Sequence, residues 1–142
     1  MKIYVDTSFL VSLYSPDSNS VAAARTMQAS SGDRFVSVFG ELEVVNVMGL
    51  RVFRKEVSAT QAQSSLNDLE KDLRAGVFQL RPLLDQVFER ARLLSRQTTP
   101  KLCTRTADLL HLATALELSA DYLYTFDQQQ RKLAQTLRLK LN

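Results

Sequence analysis

Short apolar runs alternate with longer stretches of helical periodicity along this 142-residue chain. The β-branched and aromatic run at 2–5 predicts a first strand, and similar runs at 35–38, 77–80 and 121–126 predict three more. Residues 138–141 are a candidate for a fifth strand at an edge of the sheet. The strand pattern therefore predicts a sheet of four or five short strands.

Between these strands, apolar residues recur at the three- and four-residue spacing of amphipathic helices. Leu42, Val45 and Val52, for example, give the helix that follows the second strand one apolar face. Helices are predicted at 7–14, up to about 31, 39–54, 58–76, 82–96, 106–119 and 128–137, with Thr104 or Thr106 as the cap of the sixth and a connector at 97–101. Strands that alternate with helices predict a single α/β domain over residues 1–142, with a central, mostly parallel sheet and helices on both faces.

The composition is that of an ordinary globular domain and changes this picture little. Hydrophobic residues make up 45% of the chain and charged residues 23%, which argues against a disordered chain. The single cysteine, Cys103, excludes an intrachain disulfide, and the net charge of +3 is a weak sign of an acidic partner. No run of 18 apolar residues occurs, and Asp6 interrupts the N-terminal apolar run. We therefore expect a cytoplasmic protein without a membrane segment.

Four acidic residues stand at the edges of otherwise apolar segments. Asp6 ends the first predicted strand, and Asp127 ends the fourth. Asp108 lies in the first turn of its helix, and Glu43 lies in the first or second turn of the helix after the second strand. In a parallel α/β sheet the helices run opposite to the strands, so helix starts and strand ends share one edge, where ligands bind. The four acids are expected to converge there.

Each acid taken alone also fits a structural role. Aspartate is a favoured N-cap residue, and an acid in a first helical turn complements the helix dipole. Neither role explains why acids from four separated segments converge on one edge. Clustered carboxylates repel one another, and a divalent cation is the usual compensation. Oxygen-only ligands favour Mg²⁺ or Mn²⁺ over Zn²⁺.

Three stretches of the chain resemble the PIN-domain ribonucleases, and in particular the VapC-type toxins of bacterial toxin–antitoxin pairs. They read YVDTSFLVSLY, SVFGELEVVNVM and RTADLLHLATALELSADYLYTFD. Asp6 with Ser8 matches the family's opening Asp-x-Ser/Thr, and Glu43 matches its second acid. Asp108 and Asp127 match the third and fourth acids, so the resemblance extends over nearly the whole chain.

The resemblance implies metal-dependent cleavage of RNA phosphodiester bonds. Asp6, Glu43, Asp108 and Asp127 would bind one or two Mg²⁺ or Mn²⁺ ions, directly or through water. Ser8 would position Asp6 or the phosphate, or would simply begin a helix. The resemblance also implies a cognate antitoxin that covers the acidic pocket, and a homodimer. Apolar residues around 47–53 support the dimer, although they could instead fill the core of the monomer.

For three residues near these acids the sequence allows more than one role. Glu41 is also near a helix start, but it points about 200° away from Glu43 on a helix, and the spacing to Asn46 favours Glu43. His111 is expected to bridge its helix to a neighbouring backbone rather than to bind metal. Arg105 is a candidate phosphate contact, with a solvated helix start as the alternative.

The same residues also bear on three rival functional classes. A phospho-receiver domain would need an acid pair after the first strand and an aspartate at the end of the third, where this chain reads QLRP. A non-catalytic PIN fold that serves as a binding module would be expected to lose acids, and all four are present. A housekeeping PIN nuclease without an antitoxin is the alternative to the toxin, and a small reading frame upstream would favour the toxin.

Overall fold

The computed structural model describes residues 1–142 as a five-stranded, fully parallel sheet covered by helices. The strands are β1 (Lys2–Val5), β2 (Asp33–Ser37), β3 (Gln79–Arg81), β4 (Tyr122–Tyr124) and β5 (Lys140–Leu141). Their spatial order is β3-β2-β1-β4-β5, and all four neighbouring pairs are parallel. The predicted α/β fold class is confirmed, and the fifth strand does lie at an edge.

Seven helices connect and follow the strands. They are α1 (Thr7–Tyr14), α2 (Ser20–Ala29), α3 (Val38–Phe53), α4 (Ala59–Arg74), α5 (Asp85–Leu102), α6 (Thr106–Glu117) and α7 (Gln128–Thr136). None of them combines the length and the apolar character that crossing a bilayer requires.

Two hydrophobic cores lie on opposite faces of the sheet, because side chains alternate along each strand. Ile3 and Val5 of β1 belong to one core, with buried side chains of α1 to α4. Tyr4 of β1 and Leu123 of β4 belong to the other, with side chains of α5 to α7. All four residues are completely buried. The central strand β1 is thus covered on both faces, and its carboxyl end is fixed between two packed layers.

The connector predicted at 97–101 is wrong, since α5 continues to Leu102 with Pro100 inside it. A proline cannot donate the helical hydrogen bond from its own nitrogen, which is why the sequence suggested a break. The last turn nevertheless closes, because the Cys103 N–H donates to the Thr99 carbonyl over 2.9 Å. Packing of α5 along α6 holds this turn in place, so tertiary contacts override the local preference.

The predicted threonine cap of α6 is also wrong. Arg105 occupies the N-cap position and makes no capping bond with its side chain. Thr106 is the first helical residue, and the Thr104 hydroxyl lies 2.5 Å from the Thr99 hydroxyl instead. The side chain of Arg105 is therefore free to act away from its own helix end.

Strand ends differ from the prediction by one or two residues. The strand predicted at 35–38 is observed at Asp33–Ser37, because Val38 already begins α3. The strand predicted at 77–80 is observed at Gln79–Arg81, where it pairs with β2. Apolar runs mark which segments are buried, whereas pairing with the neighbouring strand decides which residues are extended.

Helix starts gather at the carboxyl edge of the sheet. β1 leads into α1, β2 into α3 and β4 into α7. Asp6, Ser37 and Asp127 are the N-cap residues of these helices, and each accepts backbone N–H groups with its side chain. This edge therefore combines strand ends with the positive ends of helix dipoles.

Candidate active site at the carboxyl edge of the sheet

A polar pocket of about 220 Å³ opens at this edge. Only one of its ten lining residues is hydrophobic, so the pocket suits a charged or polar ligand. The lining residues are Asp6, Thr7, Ser8, Glu43, Arg105, Ala107, Asp108, His111, Asp127 and Gln130. The structure thus brings together all four acids singled out in the sequence, and Ser8 with them. Glu41 does not line the pocket.

Asp6 is completely buried at the floor of the pocket and is held by hydroxyl groups. It caps α1 by accepting the Phe9 N–H over 2.9 Å. Ser8 donates to both carboxylate oxygens at 2.8 and 3.0 Å, and the Thr125 hydroxyl donates at 2.5 Å. Burial raises the pKa of Asp6, although these hydrogen bonds and the nearby His111 act in the opposite direction. Ser8 therefore contacts Asp6, and its oxygen also accepts the Phe126 N–H over 2.9 Å.

Glu43 approaches the pocket from the second turn of α3 and is only partly buried. Its Oε2 accepts a hydrogen bond from the Thr7 hydroxyl at 2.5 Å and lies 2.5 Å from Nε2 of His111. Burial alone would raise the pKa of Glu43, but the bonds from His111 and Thr7 outweigh it and lower the pKa. The glutamate is therefore held as an anion.

The guanidinium of Arg105 bridges the other two acids. It donates to Asp108 through two nitrogens, at 2.8 and 3.1 Å, and to Asp127 at 2.9 Å. These contacts raise the pKa of Arg105. The Asp108 side chain is 3% exposed, whereas that of Arg105 is 61% exposed. Arg105 is thus neither a merely solvated helix start nor a free phosphate contact. It neutralises a buried carboxylate from the solvent side.

Asp127 joins a helix cap to this ion pair. Its Oδ1 accepts the backbone N–H groups of Gln129 and Gln130 at 2.8 and 3.0 Å, while Oδ2 accepts from Arg105. Burial would raise the pKa of Asp127, but the bonds from the Gln130 N–H and from Arg105 lower it. Its capping role and its place in the pocket therefore coexist.

His111 contacts side chains rather than a neighbouring backbone, contrary to the sequence-based expectation. Its ring is 1% exposed. Nδ1 lies 2.8 Å from the Tyr4 hydroxyl, and Nε2 faces Glu43. The histidine thus ties α6 to β1 and α3 behind the pocket.

Sequence reasoning missed three polar residues of the site, namely Thr7, Thr125 and Gln130. Thr7 and Thr125 hold carboxylates through their hydroxyls. Gln130 lines the pocket, is 4% exposed, and its buried amide oxygen has no hydrogen-bond partner. Its position one turn after Asp127 in a helix that starts at the pocket is the signal that could have identified it.

The donor set fits a hard divalent cation. Four carboxylates and an unpartnered amide oxygen offer only oxygen ligands, as Mg²⁺ and Mn²⁺ prefer. In this conformation no group of three or more acidic, histidine or cysteine side chains is arranged to hold an ion. Arg105 accounts for part of this, because it engages both oxygens of Asp108 and one of Asp127. In this conformation the guanidinium, rather than a metal ion, neutralises these two acids.

Comparison with known proteins places this geometry in a family. Among curated proteins, none matches the chain by sequence. VapC20 of Mycobacterium tuberculosis, a toxin described as cleaving the sarcin–ricin loop, is 19% identical, with a TM-score of 0.68 over 92% of this chain and 93% of that one. VapBC2 of Rickettsia felis, bound to a promoter DNA fragment, is 18% identical, with a TM-score of 0.68 over 100% and 98% of the two chains. A toxin–antitoxin complex from Klebsiella pneumoniae is 17% identical, with a TM-score of 0.64 over 90% and 88%.

At these identities the solved structures establish a shared fold. The family assignment comes from the sequence, since the family model for the PIN domain matches residues 3–135. The match covers nearly the whole chain and includes all four acids of the pocket. The resemblance seen in the sequence is confirmed, and the chain belongs to the PIN-domain family.

Proposed function

We propose that this chain is a metal-dependent endoribonuclease and the toxin of a type II toxin–antitoxin pair. The observation that carries the proposal is the convergence of four carboxylates, from four separated segments, on one polar pocket of a PIN domain. The fold shared with VapC20, a toxin described as cleaving an RNA loop, supports RNA as the substrate.

In the proposed site, Asp6, Glu43, Asp108 and Asp127 hold Mg²⁺ or Mn²⁺. When bound, such a cation lowers the pKa of a water molecule and stabilises charge on the attacked phosphate. The protein holds two of the carboxylates in a fixed orientation, because hydroxyl groups bind Asp6 and N–H groups of α7 bind Asp127.

Arg105 and His111 line the same pocket beside the four acids. Arg105, once displaced from Asp108, is a planar donor that can pair with a phosphate through two N–H groups. His111, the only histidine, has both ring nitrogens engaged inside the protein. It is therefore not assigned the role of a general base, since the lowered pKa of a metal-bound water would make such a base unnecessary.

Neutral replacement of the acids tests this proposal. Asp6→Asn, Glu43→Gln, Asp108→Asn and Asp127→Asn are each expected to slow RNA cleavage by about 100-fold or more, since metal-assisted charge stabilisation is worth several kcal/mol. Labelled single-stranded and structured RNAs are incubated with Mg²⁺, with Mn²⁺ and with EDTA. Glu41→Gln, the same residue type two positions from Glu43 and outside the pocket, is the matched control and should cleave normally.

Full cleavage in EDTA would exclude metal dependence. RNA binding without cleavage in the wild-type protein would favour the non-catalytic binding module instead.

Removal of the Arg105 side chain should change metal affinity and RNA cleavage in opposite directions. Arg105→Gln no longer competes for Asp108 and Asp127, so Mn²⁺ should bind more tightly. The gain should be about fivefold for each of the two ion pairs that is lost, because a pair with an exposed partner is worth up to about 1 kcal/mol. Cleavage should nevertheless fall, since the phosphate contact is lost.

Calorimetric titration with Mn²⁺ and a cleavage assay measure the two effects on the same samples. Arg90→Gln, which breaks a surface pair with Glu117 outside the pocket, is the control. Weaker Mn²⁺ binding by Arg105→Gln would contradict the competition.

An antitoxin is the second element of the proposal, and we propose that it wraps the toxin and covers the pocket. The shared fold with proteins solved as toxin–antitoxin complexes supports this partner. Co-expression with a small neighbouring reading frame should yield a stable complex in which RNA cleavage is suppressed. If the chain is active but neither binds nor is inhibited by a neighbouring gene product, it is a housekeeping PIN nuclease.

A homodimer is the third element, and the outer side of α3 supports it. Leu42, Val45 and Phe53 are 64%, 48% and 84% exposed, and exposed Gly49 lies between them on the same side. Within the segment that the sequence suggested, Met48 fills the monomer core instead. A stripe of exposed apolar side chains of this kind is typical of an interface.

The dimer is expected to give twice the chain mass of 16.0 kDa by light scattering at micromolar concentration. The double change Leu42→Ser with Phe53→Ser should return the monomer mass without loss of the fold. Val21→Ser on α2, which is 64% exposed like Leu42, should leave the dimer intact. A wild-type monomer at this concentration would refute the dimer.

A further inference from the structure

His111 is a buried polar residue that the proposed reaction does not use. It lies one turn after Asp108 on α6, and its ring packs between those of Tyr4 and Phe39, with centroid distances of 5.8 and 5.3 Å. A buried imidazole needs partners for its nitrogens. One nitrogen contacts the Tyr4 hydroxyl, and the other contacts Glu43.

A chain of hydrogen bonds fixes the orientation of the imidazole. Ser37 accepts the Gly40 N–H at 2.9 Å, and the Tyr4 hydroxyl donates to the same serine oxygen at 2.9 Å. The same hydroxyl lies 2.8 Å from Nδ1 of His111. The ring is thus anchored to the end of β2 and to β1.

The other ring nitrogen fixes one oxygen of Glu43. An ionised carboxylate only accepts hydrogen bonds, so Nε2 of His111 donates to Oε2 over 2.5 Å. The Thr7 hydroxyl donates to the same oxygen over 2.5 Å. Both donors therefore converge on Oε2, and Oε1 accepts no hydrogen bond in the structure.

Oε1 of Glu43 differs in this respect from the oxygens of the other three acids. Both oxygens of Asp6 accept hydroxyl protons, and both oxygens of Asp108 accept from Arg105. Asp127 accepts backbone N–H groups at one oxygen and Arg105 at the other. Oε1 is thus the single oxygen of the four carboxylates that accepts no hydrogen bond.

We propose that His111 is a positioning residue for Glu43, an inference that rests on the metal-dependent function proposed above. Together with Thr7 it holds Oε2 and presents Oε1 to the cation as a single, oriented ligand atom. A free glutamate side chain has considerable rotamer freedom, which costs free energy when a ligand fixes it. The anchored ring removes that cost before the cation arrives, and Tyr4 supports the ring from behind.

Mn²⁺ affinity of the full-length protein tests this role, measured by calorimetry and by the electron paramagnetic resonance of the free ion. His111→Leu removes the donor and should weaken Mn²⁺ binding by about 10-fold or more, as loss of a partner behind a metal ligand typically does. His111→Gln keeps an amide N–H near the position of Nε2 and should recover most of the affinity. Tyr4→Phe keeps the aromatic ring, loses the hydroxyl contacts with Ser37 and with Nδ1, and should weaken binding less than His111→Leu.

A matched control separates positioning from packing. Thr98→Val alters a buried hydroxyl on α5, which donates to the Leu94 carbonyl at 2.7 Å outside the pocket, and should leave Mn²⁺ affinity unchanged. Equal losses in the leucine and glutamine variants of His111 would mean that the ring only fills space and would overturn the proposal. Wild-type affinity in His111→Leu would also overturn it.

These outcomes are distinct from failure of the proposed function. If the wild-type protein binds no Mn²⁺, or if Glu43→Gln leaves its affinity unchanged, the metal-dependent function fails. If Glu43→Gln weakens binding and His111→Leu does not, only the positioning role fails.

A spectroscopic readout on wild-type protein covers the case in which the histidine variants do not fold. Because the chain has one histidine, ¹⁵N labelling of that residue gives unambiguous ring signals. The Nε2–H proton should be visible and protected from solvent exchange in the metal-free protein. The pocket change Glu43→Ala should abolish that protection, and an exchange-protected Nε2–H that is indifferent to Glu43→Ala would contradict the contact.

Discussion

Repulsion among carboxylates gathered at one edge of the sheet is the constraint on which this structure depends. Two like charges about 4 Å apart repel by on the order of 1–4 kcal/mol at effective dielectrics between those of water and a protein surface. The chain offsets this cost locally. Asp6 and Asp127 accept N–H groups at helix starts, buried hydroxyls hold Asp6, and the guanidinium of Arg105 lies between Asp108 and Asp127. The helix-cap role is observed for Asp6 and Asp127, and it is compatible with the ligand role proposed for the same residues.

The four acids nevertheless differ in how firmly they are held. Asp6 is fixed by buried donors, and Glu43 is fixed at one oxygen by Thr7 and His111. Asp108 is neutralised by a side chain that is 61% exposed, and breaking such a contact costs little free energy. Asp6 and Glu43 are therefore preorganised, whereas Asp108 and Asp127 are neutralised by the guanidinium of Arg105, which we propose that a metal ion displaces.

The sheet and the convergence of the acids could be predicted because both follow from the order of strands and helices along the chain, in which helices run opposite to parallel strands. Strand periodicity locates β1 and β4, and antiparallel helices bring the ends of segments to one edge. The partners of each acid could not be predicted in this way. That Arg105 bridges two acids depends on the angle at which α6 leaves its N-cap, and that Gln130 is buried depends on how α7 packs. Pro100 misled the helix prediction because local preference was outweighed by packing.

Metal binding in the acidic pocket is tested most directly by an anomalous diffraction map at the manganese absorption edge, from crystals of the wild-type protein equilibrated with Mn²⁺. We expect a manganese peak inside the pocket, with the guanidinium of Arg105 withdrawn from its position between Asp108 and Asp127. A pocket without a peak at saturating Mn²⁺, with Arg105 still bridging both acids, would contradict this expectation.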